Sequence, residues 1–235
     1  MKIYGIQKTT LLDFPKHLAC TVFLYGCNFR CSFCQNKELI LPQAETHFPD
    51  CFPIDDFFSF LSKRKHILEG VCITGGEPSL WKEELISFIE RIHSYDLKVK
   101  LDTNGSDPAL LEQLLRQNAL DYVAMDIKSS RSRYPIICDC PVEIEKICES
   151  VKLLLKSSCP YEFRTTLVKE LHSVEDILDI RDWITGSKAY YLQSYRPSEQ
   201  CIRNDYHSFS KSELLDFQRI LREKIPHTFL RGIDE

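Results

Sequence analysis

The stretch ACTVFLYGCNFRCSFC, from Ala19 to Cys34, decides how the rest of the chain is interpreted. Its first six residues, 19–24, are apolar and rich in aromatic and β-branched side chains, which predicts a buried strand. Cys27, Cys31 and Cys34 follow at the spacing C-x3-C-x2-C, so they lie on the loop that leaves the carboxyl end of this strand. Three thiolates on one loop can hold a metal and leave a fourth coordination position open.

The cysteine spacing bears on the kind of metal site. An iron–sulfur cluster normally takes four cysteines, so a cluster held by three has one iron open to a ligand. Open metal positions mark catalytic rather than structural sites. Zinc fingers instead prefer paired C-x2-C units. The triplet favours a cluster, and a zinc site or three buried structural thiols are the alternatives.

The triplet, with Phe33 before its last cysteine, resembles the cluster motif of radical S-adenosylmethionine (SAM) enzymes. In that family the open iron chelates the amino and carboxylate groups of SAM. The resemblance implies a [4Fe-4S] cluster held by Cys27, Cys31 and Cys34, with Phe33 against the adenine of SAM.

Composition limits the partners and the location of the protein. The chain has 235 residues, 43% of them hydrophobic and 27% charged, which fits one soluble globular domain, expected over residues 1–235 with a core from about 18 to 230. A net charge of −4 argues against a nucleic-acid partner. No apolar run approaches the ~20 residues of a membrane span, and residues 1–5 begin no long apolar region of a signal peptide. We therefore expect a cytoplasmic protein without a membrane partner.

Eleven cysteines are many for a protein of this size. In a reducing cytosol they are more often thiols or metal ligands than disulfides. Cys20 and Cys72 lie in strand-like apolar runs and are interpreted as core residues. Cys138 and Cys140 match no familiar metal spacing with the later cysteines, so we expect them to be solvent-exposed thiols in a local loop.

Strands and helices alternate along the chain. Further strands are predicted at 70–74, 97–101, 120–127, 161–168 and 188–193, and helices at 54–66, 80–94, 108–118, 142–156, 173–184 and 211–224. We also expect a β-hairpin in residues 2–18, an irregular segment at 41–53, which contains three prolines, and a last short strand at 228–230. Repeated βα units imply parallel strands with outer helices. Six units are fewer than the eight of a closed barrel, and the count alone fits an open barrel or a doubly wound sheet.

Two predicted strands end in glycine-containing turns. The strand at 70–74 is followed by Gly75-Gly76-Glu77-Pro78, and the strand at 97–101 by Asp102-Thr103-Asn104-Gly105. In parallel α/β folds ligands bind where strands end. The paired glycines can expose backbone groups to a ligand, and a plain tight turn before a helix is the alternative for this motif. For Asp102-Thr103-Asn104-Gly105 the alternative is a turn with helix-capping residues.

The next two strands carry charged residues at alternate positions. Asp126 and Lys128 lie two residues apart and point to the same side, so they are either an ion pair or the partners of a zwitterionic ligand. Glu162, Arg164 and Thr166 also share one side of their strand. Polar residues that face one way suit a barrel lumen, and an exposed strand face is the alternative.

Taken together, the motifs resemble those of one branch of the radical SAM enzymes. They are LDFP (12–15), GCNFRCSFCQN (26–36), TGGEP (74–78), LDTNG (101–105), AMDIK (124–128), YEFRTT (161–166) and LQSYRP (192–197). In this order they resemble the activating proteins of anaerobic ribonucleoside-triphosphate reductase, which belong to the glycyl-radical-enzyme activases. The resemblance implies an α/β fold, a partial (β/α)6 barrel of parallel strands with outer helices and an N-terminal β-hairpin.

The same resemblance implies a role for each matching residue. The turn Gly75-Gly76-Glu77-Pro78 would take the SAM amino group. Asp102 and Asp126 would help to hold a monovalent cation beside the SAM carboxylate. The remaining residues implied near SAM are Thr103, Asn104, Lys128, Arg164 and Gln193.

The implied function is activation of a partner enzyme. Flavodoxin or ferredoxin would donate an electron, SAM would be cleaved reductively to a 5′-deoxyadenosyl radical, and this radical would generate a glycyl radical on anaerobic ribonucleotide reductase. The chain offers no convincing acid–base set, which suits chemistry carried by a cofactor. Two alternatives are a radical SAM enzyme that acts on a small molecule, like 7-carboxy-7-deazaguanine synthase, and a non-catalytic metal or electron-transfer module.

Overall fold

An eight-stranded sheet runs through the described part of the chain, residues 1–40 and 51–233 of a computed structural model. Its strands are β1 (Ile3–Thr10), β2 (Ala19–Leu24), β3 (Gly70–Gly75), β4 (Lys98–Thr103), β5 (Tyr122–Asp126), β6 (Tyr161–Leu167), β7 (Tyr190–Ser194) and β8 (Thr228–Arg231). β1 pairs with β2 in antiparallel fashion, and every later pair is parallel. The parallel strands predicted from the sequence therefore lie within about two residues of their observed bounds.

Helices connect the parallel strands. They are α1 (Lys37–Ile40), α2 (Ile54–Arg64), α3 (Lys82–His93), α4 (Pro108–Arg116), α5 (Tyr134–Cys138), α6 (Ile144–Lys156), α7 (Val174–Trp183) and α8 (Lys211–Arg222), with 3-10 turns at Pro78–Trp81 and Arg131–Arg133. α7 begins where expected because Ser173 and Asp176 form a reciprocal capping box. None of these helices is long and apolar enough to cross a bilayer.

The strand order settles which parallel architecture the chain adopts. The strands follow one another across the sheet in chain order, from β1 to β8, whereas a doubly wound sheet reverses direction at a switch point. Within the described residues β1 and β8 are the two edges and do not pair with each other. The fold is therefore an open barrel, as the resemblance implied. The N-terminal hairpin is confirmed, but its second strand is β2 itself.

The side chains of β2, β3 and α3 are buried in the predicted pattern. On β3 the side chains of Val71, Cys72 and Ile73 are all fully buried, which is typical of a strand covered on both faces. Cys20 on β2 is also fully buried, so its assignment and that of Cys72 to the core are confirmed. The apolar face of α3 is buried as expected.

Residues 129–140 differ from the expected loop with exposed thiols. They form the Arg131–Arg133 turn and α5, and the side chain of Cys138 is fully buried. The Cys138 carbonyl accepts a hydrogen bond from the Arg30 backbone N–H at 2.8 Å, because the segment packs against the cysteine loop. The prediction of a solvent-exposed thiol is wrong for Cys138, and Cys140 is half-buried. Of the predicted irregular segment, residues 41–50 lie outside the described residues.

Candidate active site

A cavity of about 440 Å³ lies at the carboxyl ends of the parallel strands. This volume is within the range of small-molecule sites. The predicted site residues that line it are Cys27, Cys31, Phe33, Cys34, Gly75, Gly76, Asp102, Thr103, Asn104, Asp126, Lys128, Arg164 and Gln193. The fold therefore brings together residues that are up to about 165 positions apart in the sequence, while Glu77 and Pro78 are buried and do not line the cavity.

The cysteine loop is held by its own backbone. Gly26 has a φ of +89° and donates its N–H to the Leu39 carbonyl at 3.0 Å, which turns the chain sharply away from β2. The sulfur of Cys27 accepts the Phe29 N–H at 3.4 Å, and the sulfur of Cys34 accepts the Asn36 N–H at the same distance. Such N–H···S bonds favour thiolates, the form that binds metals.

The three thiols differ in acidity. Burial raises the pKa of Cys27 to about 12 and raises that of Cys34, in both cases against a backbone N–H that lowers it. A hydrogen bond from the Cys138 thiol lowers the pKa of Cys31 to about 7, although burial opposes this. Metal binding would therefore release protons from at least two of the cysteines.

Three cysteines that line one cavity are a donor set that suits a cluster. Across residues 1–40 and 51–233, no three His, Cys, Asp or Glu side chains converge closely enough to share one metal ion. In a cubane each cysteine binds a different iron, so its ligands surround a volume instead of converging on a point. Cys27, Cys31 and Cys34 all face the same cavity and are soft donors of the kind that iron–sulfur clusters use. The residues present therefore fit the cluster.

The paired glycines pack directly on the cysteine loop. Gly75 has a φ of +120°, Gly76 donates its N–H to the Leu24 carbonyl at 2.9 Å, and Glu77 donates its N–H to the Gly26 carbonyl at 2.6 Å. A Cβ atom added to Gly76 would lie 1.9 Å from the Gly26 oxygen. The turn needs glycine because two backbones approach each other here, beside the first cysteine.

We expect Gly76→Ala to destabilise the protein by about 1–3 kcal/mol and to lower its iron content, because the cysteine loop must move to admit the methyl group. Chemical unfolding and iron per chain measure the two effects. Gly5→Ala is the matched control, since a Cβ there meets nothing within 4 Å. Equal stability and iron content in the two variants would contradict the expectation.

Glu77 is placed differently from its neighbours in the turn. Its side chain is fully buried, and its carboxylate accepts hydrogen bonds from the Ser79 N–H (3.1 Å), the Thr103 hydroxyl (2.8 Å) and the Asn104 N–H (2.6 Å). The Asn104 side chain in turn donates to the Asn28 side chain at 2.9 Å. Glu77 thus ties the glycine turn, the Asp102–Gly105 turn and the cysteine loop together from behind the cavity.

Five charged side chains form a charge cluster in the lumen: Lys100, Asp102, Asp126, Lys128 and Arg164. Arg164 bridges the two carboxylates, at 2.9 Å to Asp126 and 3.2 Å to Asp102. Lys128 bonds the other Asp126 oxygen at 2.9 Å, and Lys100 bonds the other Asp102 oxygen. Since Arg164 and its neighbours line the cavity, β6 faces the lumen and not the solvent.

The charge cluster keeps its members ionised. Burial alone would raise the pKa of Asp102, but Arg164 and Lys100 outweigh it and hold that pKa below its ordinary value. Asp126 behaves alike, with Arg164 and Lys128 lowering its pKa. Burial alone would lower the pKa of Lys128, but Asp126 raises it well above the ordinary value. Both carboxylates and Lys128 are therefore charged at neutral pH.

Sequence reasoning missed Lys100 and His172. Lys100 alternates with Asp102 on β4, a period-two signal that points both side chains into the lumen. His172 has no comparable signal, because it follows β6 in a loop. Its Nδ1 accepts the Val168 N–H at 3.1 Å, its Nε2 donates to the Lys128 carbonyl at 2.9 Å, and its ring contacts Phe33 edge-on. Burial lowers the pKa of His172, so the ring stays neutral. Its contacts hold the Lys128 backbone and the Phe33 ring in place.

Sequence reasoning also missed the segment between β7 and α8, which clasps the cysteine loop. Ile202 donates its N–H to the Cys34 carbonyl at 3.2 Å, and Arg203 donates its N–H to the Ser32 carbonyl at 2.7 Å. The Ser32 hydroxyl also bonds the Tyr206 hydroxyl at 3.0 Å. These contacts join residues about 170 positions apart, so no local pattern announces them.

The comparison with known proteins identifies the family. Residues 21–184, which contain the cysteines, the glycine turn and the charge cluster, match the Radical SAM superfamily. This chain belongs to the radical SAM superfamily. Membership implies a [4Fe-4S] cluster and SAM as cofactors, and the three cysteines and the adjoining cavity fit them.

Three relatives show which kinds of radical SAM enzyme the chain resembles in sequence. A protein of Methanocaldococcus jannaschii named a "putative glycyl-radical enzyme activating enzyme" is 29% identical over 99% of this chain and 96% of its own length. A 7-carboxy-7-deazaguanine synthase of Bacteroides thetaiotaomicron is 36% identical over 35% of this chain and 39% of its own length. The pyruvate formate-lyase-activating enzyme of Listeria monocytogenes is 28% identical over 54% of this chain and 53% of its own length.

Solved structures share the fold. Streptococcus suis SuiB bound to S-adenosylmethionine has a TM-score of 0.67 and 14% identity, and the match covers 90% of this chain and 52% of that one. At this identity the likeness concerns the fold alone.

Proposed function

We propose that this radical SAM enzyme is an activase that generates a glycyl radical on a partner enzyme. One observation carries the proposal: the match to the glycyl-radical enzyme activating relative spans nearly the whole chain. The match to the deazaguanine synthase spans little more than a third. The match to the activating relative therefore also takes in the clasp between β7 and α8.

The proposed chemistry has one cofactor step. A cluster held by Cys27, Cys31 and Cys34 would supply one electron for the reductive cleavage of SAM to methionine and a 5′-deoxyadenosyl radical, and this radical would take a hydrogen atom from a glycine of the partner. The protein's part is to bind, to orient and to exclude water. We propose flavodoxin or ferredoxin as the electron donor.

The chain's own residues would orient SAM from three sides. Phe33, 6% exposed and fixed by His172, would lie against the adenine. Carbonyl oxygens of Gly75 and Gly76 would accept hydrogen bonds from the SAM ammonium. Arg164 and Lys128 would attract its carboxylate. Together with Lys100 they carry three positive charges, against the two negative charges of Asp102 and Asp126.

The open edges of the sheet suit a large substrate. Since β1 and β8 do not pair in the described residues, the barrel wall is interrupted, and a polypeptide loop can approach the lumen from the side. A backbone glycine must reach the bound SAM for hydrogen abstraction, which a closed barrel would hinder.

Electron paramagnetic resonance (EPR) on a candidate partner tests the proposal. We expect the anaerobically reconstituted protein, with SAM and dithionite, to produce a glycyl-radical doublet in anaerobic ribonucleotide reductase. The control is the same reductase with its radical glycine changed to alanine, which should give no doublet. Absence of a radical in this reductase and in a formate-lyase-type enzyme, with turnover of a pterin precursor of deazaguanine, would instead establish the small-molecule activity.

A further inference from the structure

The two carboxylates expected to bind a monovalent cation are already paired with cations of the chain itself. Each of their four oxygens bonds a nitrogen of one of three basic side chains: Asp102 Oδ1 bonds Lys100, Asp102 Oδ2 bonds Arg164 Nη1, Asp126 Oδ1 bonds Arg164 Nε, and Asp126 Oδ2 bonds Lys128 Nζ. The charge cluster holds three cations and two carboxylates, which leaves a formal charge of +1. The residues present therefore do not fit the implied metal cation.

Lys100 is the decisive member of the charge cluster. Its side chain is only 2% exposed, and besides Asp102 it approaches the Cys72 sulfur at 3.7 Å. A buried ammonium is costly unless it is paired, so its place beside Asp102 is fixed. A sodium or potassium ion near Asp102 would meet this ammonium at short range, where like charges repel strongly.

Other acidic groups of the lumen have partners of their own. The Asp13 carboxylate, which also lines the cavity, accepts the Thr21 hydroxyl at 2.6 Å. Glu162, 1% exposed, forms a bidentate pair with Arg231 at 2.8 and 3.0 Å. Glu162 is therefore neutralised within its own pair, whereas Asp13 keeps its negative charge, which acts on the Cys72 side of the cavity.

We propose that Lys100 supplies from within the chain the positive charge that a monovalent metal ion would otherwise supply beside SAM, and that Asp102 and Asp126 bind no such ion. Lys100 is a positioning residue: it neutralises Asp102, so that Arg164 and Lys128 together carry one positive charge more than Asp126 and attract the SAM carboxylate. The inference rests on the SAM site of the proposed function but not on the identity of the partner enzyme.

SAM binding to the cluster-loaded enzyme tests the proposal. Anaerobic isothermal titration would compare potassium, sodium and choline chloride at one ionic strength, so that screening is constant. We expect the dissociation constant to differ by less than about twofold among the three salts. SAM affinity that is about tenfold or more weaker in choline chloride than in the potassium or sodium salt would overturn the proposal, since it would show that a small metal cation completes the site.

The variant Lys100→Met tests the residue itself. It removes the charge, keeps most of the stem, and leaves Asp102 with Arg164 alone. We expect SAM to bind about tenfold more weakly in choline chloride, and sodium or potassium to restore much of the loss. The matched control is Lys98→Met, on the same strand but exposed, which should bind SAM like the unchanged protein. Unchanged binding by Lys100→Met in choline would overturn the proposal.

Two further checks keep the outcome unambiguous. If Lys100→Met fails to fold or to hold iron, Lys100→Arg replaces it; this variant keeps the charge and should stay independent of metal cations, and dependence would count against the proposal. Binding needs no partner enzyme, so cation-independent binding without any glycyl radical would leave this inference standing and remove the activase function. A glycyl radical with potassium-dependent SAM binding would do the reverse.

Discussion

Replacing Cys31 with alanine is expected to abolish iron binding and SAM cleavage together. Cys31 is the middle cysteine of the loop, 5% exposed, and it faces the cavity with Cys27 and Cys34. With two sulfurs left, the cluster would lack ligands for two of its irons. We expect iron content near background and a loss of SAM cleavage of at least about a thousandfold under dithionite, as is common when the element that carries the chemistry is removed. Anaerobic absorption spectra and quantified 5′-deoxyadenosine measure both effects.

Cys20→Ala is the control for this variant. Cys20 is fully buried on the strand that leads into the cysteine loop, and it behaves as a small core residue. It should cost about 1 kcal/mol of stability and leave iron content and SAM cleavage close to those of the unchanged protein. SAM cleavage that survives in Cys31→Ala, or that is lost equally in both variants, would refute the assignment of Cys31 as a cluster ligand.

Arg164→Leu is expected to have the largest effect on stability. The guanidinium is 14% exposed and is the bridge between Asp102 and Asp126. Its removal leaves two half-buried carboxylates that repel each other and keep one lysine partner each, so we expect a cost at the low end of the about 3–5 kcal/mol typical of a broken buried pair. The same variant should lose SAM affinity, because the positive charge beside the SAM carboxylate disappears. Urea unfolding measures the first effect and isothermal titration the second.

The pH dependence identifies the cause of this loss. In the unchanged protein the pKa values of Asp102 and Asp126 lie below their ordinary values, so their contribution is present at neutral pH and is lost as the pH falls through the lowered pKa values. Without Arg164 these pKa values rise, and the carboxylates become neutral in mild acid. The stability deficit should therefore shrink from about pH 7 to about pH 4. Arg219→Leu, which removes an 80% exposed arginine, should show little loss at either pH. A constant deficit would contradict this explanation.

Much of the fold could be predicted because the signals are local. The strand at 19–24 has the predicted bounds, and helices α3, α6 and α7 end within a residue or two of prediction. Apolar periodicity and capping residues such as Ser173 encode these elements directly. The hairpin partner of β1 was assigned less well, because pairing of β1 with β2 depends on contacts across the sheet and not on either strand alone.

The candidate site was predictable where chemistry leaves a rare residue pattern. The cysteine triplet and the paired glycines are uncommon, and the structure places all five residues on one cavity. The supporting contacts were not predictable. Cys138 lowers the pKa of Cys31 only because α5 packs against the cysteine loop. The clasp from Ile202 and Arg203 comes from a segment that is distant in the sequence. The prediction that the chain is a single domain, and those of the partner enzyme and the electron donor, stay predictions.

The EPR spectrum of the reduced cluster, recorded with and without SAM, tests the central claim most directly. The claim is that three cysteines leave one iron of the cluster open and that SAM binds there. We expect SAM to change the spectrum and, in the same sample, methionine and 5′-deoxyadenosine to form in equal amounts. A spectrum that is unchanged by saturating SAM, with neither product formed, would contradict the account.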